Sequence, residues 1–139
     1  MALERWILDT SAFFNLSSSP DSGLWTERIQ RGLVGVATAT LLEIGYSTRS
    51  PADHARVFAS PLITNLVNVF SIPADEKRAL EVQRALMVTG SHRAPSISDL
   101  LVAALGEREA MTVLHVDKDF EIISSFTGQR VERLAVSAP

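Results

Sequence analysis

The chain has 139 residues, of which 46% are hydrophobic and 21% charged, a balance typical of a folded globular protein and not of a disordered one. It contains no cysteine, which excludes disulfides and thiolate metal ligands, and three histidines argue against a histidine-only zinc site. The net charge of −3 gives no overall attraction to nucleic acid. A polyanionic substrate would therefore need metal ions or local arginines at its site.

Strand-like and helix-like patterns alternate along the predicted elements. In the first half these are a strand over 5–8, a helix over 11–16, a loop over 17–23, a helix over 24–30, a strand over 33–37, a helix from Thr38 or Thr40 to about Ser47, a helix over 51–58 and a strand over 67–70. In the second half they are a helix over 73–89, a loop over 91–95, a helix over 97–109, a strand over 111–116, a helix over 120–126 and a strand over 131–134. Strands separated by helices indicate βαβ units, so we predict an α/β fold with a mostly parallel central sheet of about five strands.

The N-terminal segment passes quickly from Met1 to Asp9 and shows no apolar core of a signal peptide. No apolar run approaches the roughly 20 residues of a membrane-spanning helix. We therefore expect a cytoplasmic protein that does not associate with a membrane and folds as one domain over residues 1–139.

Four acidic residues fall where strands end or helices begin. Asp9 follows the first strand within Asp9-Thr10-Ser11-Ala12, and Asp117 follows the strand over 111–116. Glu43 and Asp99 lie in the first turns of two predicted helices. Since strand ends and helix starts share one edge of a parallel sheet, we expect the four carboxylates to point into one cleft.

Clustered carboxylates repel one another and would hold protons unless cations neutralise them. A site made only of oxygen ligands suits Mg²⁺ or Mn²⁺. Such ions polarise phosphoryl oxygens and activate water for attack. The sequence therefore predicts a metal site for phosphoester chemistry.

Each acid taken alone also fits a structural role. The stretches that begin at Ser96 and Thr40 both follow the capping-box pattern, with Asp99 and Glu43 in the acidic position. Asp9 or Asp117 could be a turn residue at the end of a strand. Their joint placement at one sheet edge favours a shared site.

The chain resembles the PIN domain, and more narrowly the VapC-type toxins of bacterial toxin–antitoxin pairs. The resemblance covers nearly the whole chain and is carried by Asp9-Thr10-Ser11-Ala12, the helical Glu43, Ser98-Asp99 with the apolar run over 100–105, and Asp117-Lys118-Asp119-Phe120. It implies a PIN-like three-layer α/β/α fold. It also implies a Mg²⁺- or Mn²⁺-dependent endoribonuclease that hydrolyses RNA phosphodiesters with activated water, forms a homodimer, and is inhibited by a VapB-type antitoxin.

The resemblance assigns the acidic quartet of the family to Asp9, Glu43, Asp99 and Asp117. It implies that Asp9 and Asp99 bind the metal directly and that Asp117 binds it directly or through water. Glu43 would hold a metal-bound water or a second ion.

The sequence also predicts roles for residues next to the acidic quartet. The hydroxyl of Thr10 or Ser11 would orient Asp9 or a water. Asp119 is interpreted as a cap of the helix that begins near Phe120. Arg93 and Lys118 could contact RNA phosphate or be solvated surface residues.

We expect most aromatic and histidine side chains to have structural roles. We expect Phe13, Phe14 and Trp25 in the core, with the two phenylalanines as alternative contacts of a dimer or antitoxin surface. The three histidines, His54, His92 and His115, show no ligand spacing.

Two other functions stay open at this point. A receiver-like phosphotransfer domain also has an acidic Mg²⁺ pocket, but it needs a phospho-acceptor Asp after its third strand, where this chain has Phe70-Ser71-Ile72-Pro73. A catalytically silent binding module could keep the fold without turnover. An assay of metal binding separates the second alternative from an active enzyme.

Overall fold

The computed structural model describes residues 3–137. Within this range the strands are β1 (Trp6–Leu8), β2 (Val34–Ala37), β3 (Val67–Val69), β4 (Thr112–His115) and β5 (Val131–Arg133). The helices of the same range are α1 (Thr10–Leu16), α2 (Ser22–Gln30), α3 (Thr38–Tyr46), α4 (Pro51–Phe58), α5 (Pro61–Thr64), α6 (Pro73–Val88), α7 (Ile97–Arg108) and α8 (Asp119–Thr127). None of these helices is long and apolar enough to cross a bilayer. The prediction of a single domain over residues 1–139 stays a prediction.

The sheet places β1 at its centre. The strand order is β3-β2-β1-β4-β5 and every pairing is parallel. Trp6 of β1 is in register with Val34 of β2 on one side and Thr112 of β4 on the other. A strand with a sheet neighbour on each side and helices on both faces is buried throughout, which explains the continuous apolar run of β1.

The strand order of the sheet also excludes the receiver-like alternative. In the flavodoxin-like order of receiver domains the third strand pairs with the first. Here β4 occupies that place and β3 lies at the edge beyond β2. The receiver-like interpretation is therefore wrong.

Alternate residues of the central strands face two separate helical layers. Ile7 and Val113 belong to a core cluster that includes Phe120 of α8 and buried residues of α6 and α7. Leu8 and Leu114 face the opposite side, where they pack with buried residues of α1 and α2. The two clusters cover both sides of the sheet and confirm the predicted three-layer α/β/α fold.

One of these clusters contains both tryptophans of the chain. The rings of Trp6 and Trp25 meet edge to face with 5.2 Å between their centroids. The Arg28 guanidinium lies over both rings, at 4.3 and 4.5 Å from their centroids. The Trp6 indole donates a hydrogen bond of 3.0 Å to Glu132 of β5. Sheet and helix α2 are thus joined through one aromatic contact.

An ion pair between the exposed Arg108 and the buried Asp75 joins α7 to α6. Arg108 Nε lies 2.8 Å from Asp75 Oδ1 and Nη2 lies 3.1 Å from Oδ2. The amide of Ile72 also donates to Oδ2 at 2.9 Å, and Arg108 Nη2 reaches the Phe70 carbonyl at 3.0 Å. Burial by itself would raise the pKa of Asp75, but the Arg108 and Ile72 hydrogen bonds outweigh it and hold this pKa below its ordinary value.

The structure differs from the sequence predictions in three places. Helix α5 was not predicted, because its single turn is too short to show a periodic apolar pattern. Neither Thr38 nor Thr40 caps α3, since the N-cap residue is Ala37. Phe14 is 54% exposed and is not a core residue, whereas Trp25 is buried as predicted.

Candidate functional site

The four predicted acids lie together in one open cleft of about 360 Å³. Asp9 comes from the end of β1 and Asp117 from the turn after β4, while Asp99 lies in the first turn of α7 and Glu43 lies within α3. Asp119, Thr10, Ser11, Ser96 and Arg93 complete the polar lining. The parallel sheet therefore gathers the acids at one edge, as the sequence predicts.

Asp9 is the most buried of these acids, with 4% of its surface exposed. The Ser11 hydroxyl donates to Asp9 Oδ2 at 2.6 Å, and the Ser11 amide donates to the same oxygen at 3.0 Å. Ser11 Oγ also accepts a 3.0 Å bond from the amide of Val116, next to Asp117. One hydroxyl therefore fixes the Asp9 carboxylate and ties it to the turn that carries Asp117.

Burial raises the pKa of Asp9 above its ordinary value, against the effect of the Ser11 hydrogen bonds, and the negative charge of Glu43 adds to the rise. The carboxylate thus sits where a cation would stabilise it.

Asp99 both caps its own helix and enters the cleft. The amide of Ser96 donates to Asp99 Oδ2 at 2.9 Å, and the amide of Asp99 donates to Ser96 Oγ at 3.1 Å, which is the predicted capping box. Burial raises the pKa of Asp99 to about 6, and the charges of Asp9 and Asp119 contribute to this. The capping role accounts for one oxygen of the carboxylate and leaves the other for a ligand.

Asp119 belongs to the acidic cluster, which the sequence interpretation missed. Asp99, Asp117 and Asp119 each offer a carboxylate oxygen, and these oxygens lie within 4.8 Å of one another. Asp119 is the first residue of α8 and Lys118 occupies the N-cap position, so the prediction that Asp119 caps this helix is wrong. Asp117 accepts the bond from the Asp119 amide instead, at 3.1 Å. The spacing of Asp117 and Asp119 at a strand-to-helix turn was the available signal.

Glu43 lies at the exposed side of the cleft and is bonded by two hydroxyls. Thr10 Oγ1 donates to Glu43 Oε1 at 2.7 Å, and Ser98 Oγ donates to Oε2 at 3.1 Å. Of the two hydroxyls predicted to orient Asp9, Ser11 does so and Thr10 contacts Glu43. The capping-box interpretation of Glu43 is wrong, because α3 begins before Thr40.

The other residues considered in the sequence analysis differ in their exposure to solvent. Arg93 is exposed and lines it, whereas Lys118 is exposed between Asp117 and Asp119. His115 is fully buried at the end of β4, with its ring 5.6 Å from that of Phe120, and burial lowers its pKa.

The donor set of the cleft fits a hard divalent cation. Five carboxylates converge there without a cysteine or a histidine among the lining residues, and hard divalent cations prefer oxygen ligands. The raised pKa values of Asp9, Asp99 and Asp119 show that the folded chain penalises the negative charges when no cation is bound. A cation would remove this penalty.

We expect the metal-free protein to lose stability as pH rises from about 4 to 6, because Asp99 binds its proton more tightly in the folded state than at its ordinary pKa of 3.8. Discounted for partial exposure, the Asp99 contribution is about 1–2 kcal/mol. Asp99→Asn should therefore gain stability relative to the unsubstituted protein across this pH window. Urea unfolding in a chelating buffer measures the difference, and a difference that does not change with pH would contradict the prediction.

Comparison with known proteins places the chain in a family. The sequence profile of the PIN domain matches residues 6–125. Ribonuclease VapC2 of Mycobacterium tuberculosis (strain CDC 1551 / Oshkosh) is 45% identical over 139 residues, covering 100% of this chain and 99% of that protein. Ribonuclease VapC51 of Mycobacterium tuberculosis (strain ATCC 25618 / H37Rv) is 36% identical, covering 93% and 91%.

Solved structures share the same fold. A chain in the DNA-bound VapBC structure from Salmonella typhimurium matches with a TM-score of 0.76 at 18% identity, covering 94% of this chain and 98% of that one. A chain of VapBC2 from Rickettsia felis, bound to a promoter DNA fragment, matches with a TM-score of 0.73 at 16% identity, covering 92% and 97%. The fold, the family profile and the identity to VapC2 agree, and the chain belongs to the PIN-domain family, among its VapC-type toxins.

Proposed function

We propose that this protein is a metal-dependent endoribonuclease that acts as the toxin of a type II toxin–antitoxin pair. The observation that carries the proposal is the convergence of five carboxylates in one cleft of a chain that is 45% identical to a protein named as a ribonuclease. The reaction is hydrolysis of an RNA phosphodiester by water. We place this activity in the cytoplasm.

Asp9, Asp99 and Asp117 would hold the metal, with Asp119 as a fourth neighbour and Glu43 at the rim. A bound Mg²⁺ or Mn²⁺ supplies positive charge that stabilises phosphoryl oxygens and lowers the pKa of an attacking water. Ser11 keeps Asp9 in place.

The rim of the cleft carries the groups that would bind RNA phosphate. Arg93 lines the cleft and can form paired hydrogen bonds with phosphate oxygens. Lys118 lies beside Asp117 and adds positive charge next to the acids. Local positive charge of this kind is needed because the chain as a whole is negative.

The proposed protein partners are a second copy of the chain and a VapB-type antitoxin. VapBC complexes among the solved structures with this fold support the antitoxin. An arginine from the antitoxin would be attracted by the clustered carboxylates and would displace the metal. Exposed apolar side chains on α6 and α7, including Leu80, Met87 and Ile97, support a homodimer.

Removal of the metal tests the enzymatic part of this proposal. Structured RNAs incubated with the purified protein should be cleaved in millimolar Mg²⁺ or Mn²⁺, not cleaved in excess chelator, and cleaved again when the metal is restored. Cleavage that continues unchanged in chelator would contradict metal dependence. The absence of Mg²⁺ or Mn²⁺ binding at millimolar concentrations, together with no cleavage, would favour the catalytically silent binding module.

A further inference from the structure

We propose that Arg133, a residue of β5 outside the acidic cleft, is a positioning residue for the turn that carries Asp117. The inference rests on the proposed function, because this turn supplies acids to the proposed metal site. Arg133 would act through the backbone beside Asp117 and would touch neither the metal nor the RNA.

The guanidinium of Arg133 makes two kinds of contact. Nη1 donates a hydrogen bond of 2.8 Å to the carbonyl of Val116. Nε and Nη2 both donate to Glu121 Oε1, at 3.1 and 2.7 Å. Because Glu121 lies in the first turn of α8, one side chain of β5 connects the start of α8 to the residue before Asp117.

The Val116 carbonyl lies just beyond the ladder of the sheet. β4 ends at His115 and β5 ends at Arg133, and a backbone bond of 2.8 Å from the Leu134 amide to the His115 carbonyl closes the pairing of the two strands. Within residues 3–137, no backbone amide donates to the Val116 carbonyl. Arg133 therefore supplies a hydrogen bond that the sheet does not.

The carbonyl that Arg133 holds belongs to the peptide unit that leads into Asp117. Because a peptide unit is planar, fixing the oxygen of Val116 also fixes the direction in which the chain enters Asp117. On the other side of the same residue, the Val116 amide donates to Ser11 Oγ at 3.0 Å, and the Ser11 hydroxyl donates to Asp9 Oδ2 at 2.6 Å. Both peptide units of Val116 are thus tied, and the separation of Asp9 from Asp117 depends on both ties.

The ion pair with Glu121 contributes little to stability by itself. The side chains of Arg133 and Glu121 are 49% and 48% exposed, and ion pairs in contact with water are weak. A planar guanidinium presents its donors in fixed directions, so the bonds to Glu121 leave Nη1 directed at the Val116 carbonyl. We therefore expect the main effect of Arg133 on the geometry of the turn and not on the free energy of unfolding.

Hydrogen exchange of the metal-free full chain tests whether Arg133 holds the turn. We expect the Val116 amide to exchange about three- to tenfold faster in R133A than in the unsubstituted protein, because the turn loses one of its two ties. R133K should exchange nearly as fast, since one ammonium group cannot replace the fork of donors that arginine presents. Arg130→Ala, which changes an exposed arginine just before β5, is the matched control and should leave the exchange of Val116 unchanged.

Calorimetry of Mn²⁺ binding, without RNA, tests the consequence for the metal site. We expect R133A to bind Mn²⁺ about tenfold more weakly than the unsubstituted protein, as is typical when a group that orients a ligand is removed. Arg130→Ala should bind Mn²⁺ as the unsubstituted protein does. Glu121→Ala frees the guanidinium and should cause a smaller loss, and the double variant R133A/E121A should be no weaker than R133A, because both changes release the same bond.

The inference is overturned if R133A binds Mn²⁺ as tightly as the unsubstituted protein, or if the exchange of the Val116 amide is unchanged. A raised KM for RNA with both of these values unchanged would show instead that Arg133 contacts RNA phosphate. If R133A does not fold, Glu121→Ala, which keeps the arginine, must show both effects. If the unsubstituted protein binds no Mn²⁺, the proposed function fails, while the exchange measurement still decides whether Arg133 holds the turn.

Discussion

Asp99→Asn is expected to lower RNA cleavage by at least about a thousandfold, equivalent to about 4 kcal/mol of transition-state stabilisation. The substitution removes a carboxylate that faces Asp117 and Asp119 in the cleft. It should leave the fold intact, because the asparagine oxygen can accept the Ser96 amide bond that now goes to Asp99. Initial rates on a structured RNA in Mn²⁺ measure the effect, and thermal unfolding confirms that the variant is folded.

A matched control separates the site from the rest of the surface. Asp21 is exposed, lies at the N-cap position of α2 and makes no capping bond through its side chain, so Asp21→Asn should cleave RNA like the unsubstituted protein. Asp9→Asn should lose RNA cleavage to a similar extent as Asp99→Asn. Equal cleavage by both site variants and the unsubstituted protein would defeat the assignment, since a contaminating nuclease would then be the simplest source of activity.

Arg108→Ala is expected to lower the free energy of unfolding by about 1–3 kcal/mol, the cost of leaving the buried Asp75 carboxylate without its partner. The substitution removes both guanidinium bonds to Asp75 and leaves a carboxylate that is 1% exposed without its counter-ion. The pKa of Asp75 is lower in the folded protein than its ordinary value of 3.8. The ion pair therefore stabilises the folded protein fully above pH 3.8, and this stabilisation is lost as the pH falls through the lowered pKa of Asp75. Urea unfolding at pH 7 and at pH 3 measures both effects.

An exposed arginine on helix α6 provides the control for this prediction. Arg84→Ala removes the same kind of side chain from the surface, and its effect should stay within about 0.5 kcal/mol. A loss in Arg108→Ala no larger than that of Arg84→Ala would show that the Asp75 pair does not stabilise the fold.

The central strands and the main acids were predictable because local pattern determines them. β1 and β4 are short apolar runs followed by Asp9 and by Val116-Asp117, and parallel strands buried on both faces show such runs. The start of α7 was visible in Ser96 and Asp99, since a capping box involves only neighbours in the chain. The predicted bounds of these elements agree with the structure within two residues.

Features that depend on distant residues were not predictable in this way. Glu43 is bonded by hydroxyls 33 and 55 positions away, and no spacing rule connects them. The Asp75–Arg108 pair likewise spans 33 positions and forms only because α6 packs on α7. Asp119 was misread because its position at a helix start fits a cap as well as a site, and only the turn after β4 decides between them.

The contact between the two tryptophans has a practical consequence for spectroscopy. Trp6 and Trp25 are the only tryptophans in the sequence, so the tryptophan fluorescence of the chain arises from this one edge-to-face pair. Trp6 begins the strand that Asp9 follows, so the Cα atoms of these two residues are about 10 Å apart along the strand. Tryptophan emission should therefore report whether the sheet and α2 are packed together, and it supplies an optical readout of unfolding.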